Sequence, residues 1–74
     1  RRKQQLAELS EKEKAVLKLI CAEFTSKEIA DQLNMSFRTI EAYRKSLQEK
    51  TGSKNSAGLI LYAIRSGIVT LEPS

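Results

Sequence analysis

The chain has 74 residues, with no histidine, one cysteine, and glycine only at 52, 58 and 67. Without histidine or a second cysteine it lacks the usual ligands of a zinc site and cannot close an internal disulfide. No glycine-rich loop is present to cradle phosphates, and no nucleophile stands beside a base. Catalysis, cofactors and bound metal are therefore not expected. No apolar run is long enough to span a bilayer, and no charged, apolar, then small-residue order marks a signal peptide. The expected setting is cytoplasmic, with no membrane partner. Cys21, between Ile20 and Ala22, reads as a reduced, buried thiol acting as a small hydrophobe.

What the chain has is positive charge, unevenly placed. The net charge is +4. Arg1, Arg2 and Lys3 open the sequence, and acidic groups outnumber basic ones over 6–35. Over 36–56, Arg38, Arg44, Lys45, Lys50 and Lys54 face only Glu41 and Glu49. Such a distribution favours an anionic partner. The length suits one small domain with a core of roughly a dozen side chains. Residues 1–8 are expected to be a linker from a missing N-terminal domain, 9–70 the domain, and 71–74 a tail.

Punctuation divides the domain into four helices with no strand. Ser10 with Glu13, and Thr25 with Glu28, are capping-box pairs, each opening a helix. Val16, Leu17, Ile20, Cys21 and Phe24 recur at helical spacing, so the first helix is expected over about 11–23. Ile29, Ala30 and Leu33 mark the second, over 26–33, which Asn34 ends by tolerating a left-handed turn. Ser36 caps the third, 37–51, and Gly52 stops it. Asn55 or Ser56 opens the fourth, 56–66, and Gly67 closes it. The fold class is a compact all-α four-helix domain.

Only Asn34, Met35 and Ser36 separate helices two and three, the short connection of a helix-turn-helix. Ala30 is small where two backbones would approach, and Ile29, Leu33, Met35 and Ile40 would share a core. At about 100° per residue, Ile40, Tyr43, Leu47 and Thr51 fall on one side of helix three. Arg38, Glu41, Ala42, Lys45 and Glu49 fall on the other. That polar face suits a major groove: Arg38 and Lys45 can donate to guanine, Glu41 can accept from cytosine, and Ala42 permits close approach to a thymine methyl. Lys27, Thr39, Tyr43, Arg44 and Lys54 flank it as candidate phosphate contacts. The competing view takes each cation as a solvated surface charge and the chain as a helical protein-interaction module.

The stretches "LSEKEKAVLKLI" and "TSKEIADQLNMSFRTIEAYRKSLQEKTGSKNSAGLILYAI" resemble the LuxR/FixJ-type (GerE-like) helix-turn-helix, the output domain of many bacterial response regulators and quorum-sensing regulators. The resemblance implies that helix three enters the major groove, that bases are read from Glu41, Ala42 and Lys45, and that phosphates are held around Lys27, Arg38, Thr39, Tyr43 and Arg44. It implies that a receiver domain preceded the chain, with a ligand-binding sensor as the next choice. Four positions depart from the family's habits: Tyr43 stands where His is frequent, Glu41 where a basic residue is, Glu23 close to where the family has Gly, and Gly58 in place of an acid.

Helix four, with "LILYAI", is apolar nearly all round. Ala57, Ile60, Ala63 and Ile64 are expected to face the core, leaving Gly58, Leu61, Tyr62 and Arg65 outside. An exposed apolar strip of this kind calls for a partner. The resemblance implies a homodimer through this helix, formed on double-stranded DNA, with RNA polymerase as a possible further partner.

Overall fold

The computed structural model describes residues 9–70, and the expected linker 1–8 and tail 71–74 lie outside the described residues. Four helices follow one another: α1 Glu11–Cys21, α2 Ser26–Leu33, α3 Phe37–Thr51 and α4 Ser56–Arg65. No strand occurs among the described residues.

Local chemistry explains each start. Ser10 and Thr25 form complete capping boxes with Glu13 and Glu28, the N-cap hydroxyl accepting from the third backbone N–H and the glutamate accepting from the N-cap's own. Ser36 Oγ accepts from Thr39 N–H at 3.1 Å, and Asn55 Oδ1 from Gly58 N–H at 3.0 Å.

The ends of α1, α2 and α4 share one device. Phe24 N–H reaches back to Leu19 O, Met35 N–H to Ala30 O, and Ile68 N–H to Ala63 O, each across a residue in the left-handed region. Those residues are Glu23 (φ 70°), Asn34 (φ 58°) and Gly67 (φ 79°). Glu23 corrects the expected extent of helix one: the left-handed turn there ends α1 at Cys21, two residues early.

All four helices supply the core. Val16, Leu17 and Ile20 come from α1, Ile29 and Ala30 from α2, Ile40 and Leu47 from α3, and Leu59 and Ala63 from α4. Full burial of an aliphatic side chain of this size stabilises by about 1.5–3 kcal/mol, so these few residues carry much of a small domain's stability. Helices α1 and α3 each touch the other three, whereas α2 and α4 do not meet among the described residues. Cys21 and Phe24 are half-buried rather than enclosed.

The inner face of α4 also differs from expectation. Leu59 and Ala63 are fully buried, Tyr62 packs against the core, Ile60 and Ile64 are half-buried, and Ala57 is exposed. A helix apolar nearly all round has no single preferred inward face. Its rotation is fixed by what α1 and α3 offer.

Candidate nucleic-acid interface

Helix α3 is held from below and open above. Ile40 and Leu47 are fully buried, seven residues and nearly two turns apart, and Tyr43 packs against the core between them. On the opposite side Arg38, Glu41, Ala42, Lys45 and Glu49 are all exposed. The structure thus brings the four expected base-reading residues onto one open face. Ile29 and Ala30 seat α2 beneath the turn, and Met35 is half-buried against the same core.

A polar tie adds to this apolar seat. Glu13, on the first turn of α1, is only 5% exposed. One carboxylate oxygen accepts from Ser10 N–H and from Lys50 Nζ, both at 2.9 Å, and the other accepts from Ser46 Oγ at 2.9 Å. Burial acts to raise its pKa. The Ser10 amide, Lys50 and Ser46 more than offset that and bring it down to about 2. A buried charge with three donors fixes the rotation of α3 about its axis, because Ser46 and Lys50 lie one turn apart on that helix. Sequence reading found Glu13 as a cap but missed this second role, whose partners lie 33 and 37 residues away.

The expected phosphate contacts fare differently. Lys27, at the start of α2, and Lys54, in the turn before α4, are exposed, as is Thr39, whose hydroxyl lies 2.9 Å from that of Ser36. Tyr43 is half-buried and lines a hollow of about 250 Å³ with Glu13, Thr39, Ala42 and Ser46. Arg44 is half-buried too, its Nη2 donating to Ser56 Oγ at 2.8 Å, so it links α3 to the first residue of α4. A separate hollow of about 550 Å³ between Phe24, Glu28, Asp31 and Gln32 is acidic and unsuited to phosphate.

On α4, Leu61 is 52% exposed and Arg65 is exposed, as expected for an outer face. Tyr62, expected outside, is half-buried against the core. Gly58 is half-buried as well: a Cβ there would sit 3.0 Å from Ser53 Cβ, so the missing side chain lets the turn approach the helix. An acidic residue at this position would displace Ser53. These residues line a groove of about 510 Å³ that also includes Gly52 and Lys54.

The profile described as "Bacterial regulatory proteins, luxR family" matches residues 7–63. The chain belongs to the LuxR family of bacterial regulatory proteins. Its four helices are the helix-turn-helix DNA-binding domain of a transcriptional regulator. This LuxR-family domain is 44% identical over 62 residues to the transcriptional regulatory protein MctR of Rhizobium johnstonii, covering 84% of this chain and 29% of that protein. It is 34% identical over 61 residues to the oxygen regulatory protein NreC of Staphylococcus aureus, covering 82% and 28%. Among solved structures it resembles the phage VqmA–DPO complex, with a TM-score of 0.77 and 35% identity over 92% of this chain and 31% of that one. It also resembles Vibrio cholera VqmA solved with ligand and DNA, with a TM-score of 0.79 and 26% identity over 99% and 32%. The chain spans less than a third of the length of each of these proteins.

Proposed function

We propose that the domain recognises duplex DNA sequence by laying α3 in the major groove, with Lys45, Glu41, Ala42 and Arg38 against base edges. The observation that carries this is the pairing of an open face with a rigid mount. All four side chains are exposed, while Ile40, Leu47 and the Glu13 tie hold the helix behind them. Base edges discriminate only against groups held in register. Lys27, Thr39, Tyr43 and Lys54 flank the face as phosphate contacts. Arg44 belongs with them, exchanging the Ser56 hydroxyl for a phosphate oxygen.

The full protein is, in this reading, a cytoplasmic response regulator whose receiver domain lies on the N-terminal side. The greater length of the relatives supports a further domain. A ligand-sensing regulator is the alternative for that part, and RNA polymerase is a further partner of the whole protein. Two copies pair on DNA through α4, where Gly58, Leu61, Tyr62 and Arg65 line one groove and Leu61 is open to solvent.

Selection of duplexes from a random pool by the 74-residue chain tests the reading. Enrichment of one motif is expected, with affinity falling steeply as salt rises. A pool that stays random, or binding indifferent to changes at Glu41, Ala42 and Lys45, would leave the interaction-module reading in its place.

A further inference from the structure

Four aromatic side chains occur in the sequence, and three of them, Phe24, Tyr43 and Tyr62, pack against the core. Phe37 does not. It is 53% exposed and, with Leu61, one of two large exposed hydrophobics among the described residues. Leu61 has a place in the proposed dimer contact. Phe37 lies outside the packed core of the described residues.

Its position is specific. Phe37 is the first residue of α3, and Glu41 lies four residues on, so the two stand one above the other along the helix. Side chains on a helix lean toward its N-terminus, which carries the Phe37 ring beyond the first turn on the line that Glu41 continues. In helix-turn-helix docking it is the N-terminal part of the recognition helix that meets the base edges. The first turn of α3 also carries no acidic residue, whereas α1 begins with Glu11 and Glu13 and α2 with Glu28. The end of the helix that holds Phe37 is therefore free of charge that would repel a duplex.

We propose that Phe37 is a specificity-determining residue that packs on the C5-methyl group of one thymine, next to the base read by Glu41. The thymine methyl is the one apolar feature that the major groove offers, and an aromatic ring is a suitable contact for it. The exposed ring is then apolar surface that leaves water only when the correct base is present. The inference rests on the major-groove reading of α3.

The test uses the motif selected by the 74-residue chain, with each thymine replaced in turn by deoxyuridine, which lacks only the methyl group. Wild-type protein is expected to lose about four-fold in affinity at one thymine beside the Glu41 base, the worth of one methyl-sized group withdrawn from water. Phe37→Ala should lose affinity for the thymine duplex yet bind thymine and deoxyuridine there alike. Phe37→Leu should keep part of the discrimination, and thermal melting of both variants should stay near wild type. Equal sensitivity of wild type and Phe37→Ala to every deoxyuridine overturns the proposal, as does a uniform loss on all duplexes or a motif without such a thymine. If the wild-type chain selects no motif at all, the major-groove reading fails and takes this inference with it, an outcome distinct from a motif that Phe37 does not read.

Discussion

Glu13 Oε1 and Lys50 Nζ lie 2.9 Å apart, joining the first turn of α1 to the last turn of α3 across 37 residues. Glu13 is buried and Lys50 is partly open to water, so the pair is asymmetric. Loss of the lysine would leave the buried carboxylate without its counter-charge, and loss of the carboxylate would strand Ser46 as well as Lys50.

Stability should follow the charge of Glu13. Its folded pKa of about 2 lies below its ordinary value of 4.5, so the contribution is complete above about pH 4.5 and is lost as pH falls toward 2. The amount is on the order of 3 kcal/mol. Glu13→Gln should lower the melting temperature at pH 7 and flatten its decline between pH 5 and pH 2. Parallel declines in the two proteins would remove Glu13 from the account.

Glu23 is expected to be a stabilising site for substitution. It is exposed and holds φ 70°, a conformation that costs a side-chain-bearing residue about 1–2 kcal/mol and glycine almost nothing. Allowing for glycine's greater freedom in the unfolded chain, Glu23→Gly should gain about 0.5–1 kcal/mol, raising the melting temperature by a few degrees. Calorimetry decides the matter, and a lower melting temperature would show that the glutamate is relaxed there.

Lys45 and Lys27 should separate base reading from backbone holding. Lys45→Ala should weaken binding to the preferred motif by about 1–3 kcal/mol and relax selection at one base pair. Lys27→Ala should weaken every duplex alike and reduce the salt slope by about one. Repeating the selection with each variant distinguishes them, and an unchanged motif for Lys45→Ala would count against a base contact.

Pairing through α4 should be weak without DNA. One ten-residue helix offers far less than a standard interface of about 1,600 Å², so the domain alone should be monomeric. Adjacent half-sites would raise the effective concentration of the second copy. Leu61→Glu should place like charges across the two-fold axis and abolish cooperativity while sparing single half-sites. Titrations on half and full sites that show equal cooperativity in both proteins would exclude α4 as the contact.

The sequence by itself determined what depends on neighbours three or four residues apart. Ser10, Thr25, Ser36 and Asn55 cap helices because an N-cap oxygen reaches only its own first turn, and Asn34, Gly52 and Gly67 end them because of their own backbone freedom. The open face of α3 follows from helical period alone, which is why Arg38, Glu41, Ala42 and Lys45 could be placed in advance. Tertiary structure decided whatever needed a distant partner. The rotation of α4 onto Leu59 and Ala63, the hold of Glu13 on Ser46 and Lys50, the link from Arg44 to Ser56 and the approach of Ser53 to Gly58 all join separate elements. The exposure of Phe37 belongs with them, since phenylalanine is by its side chain a residue suited to a core. Whether such a ring is buried depends on what packs against it, and in this fold more than half of it is left open to solvent.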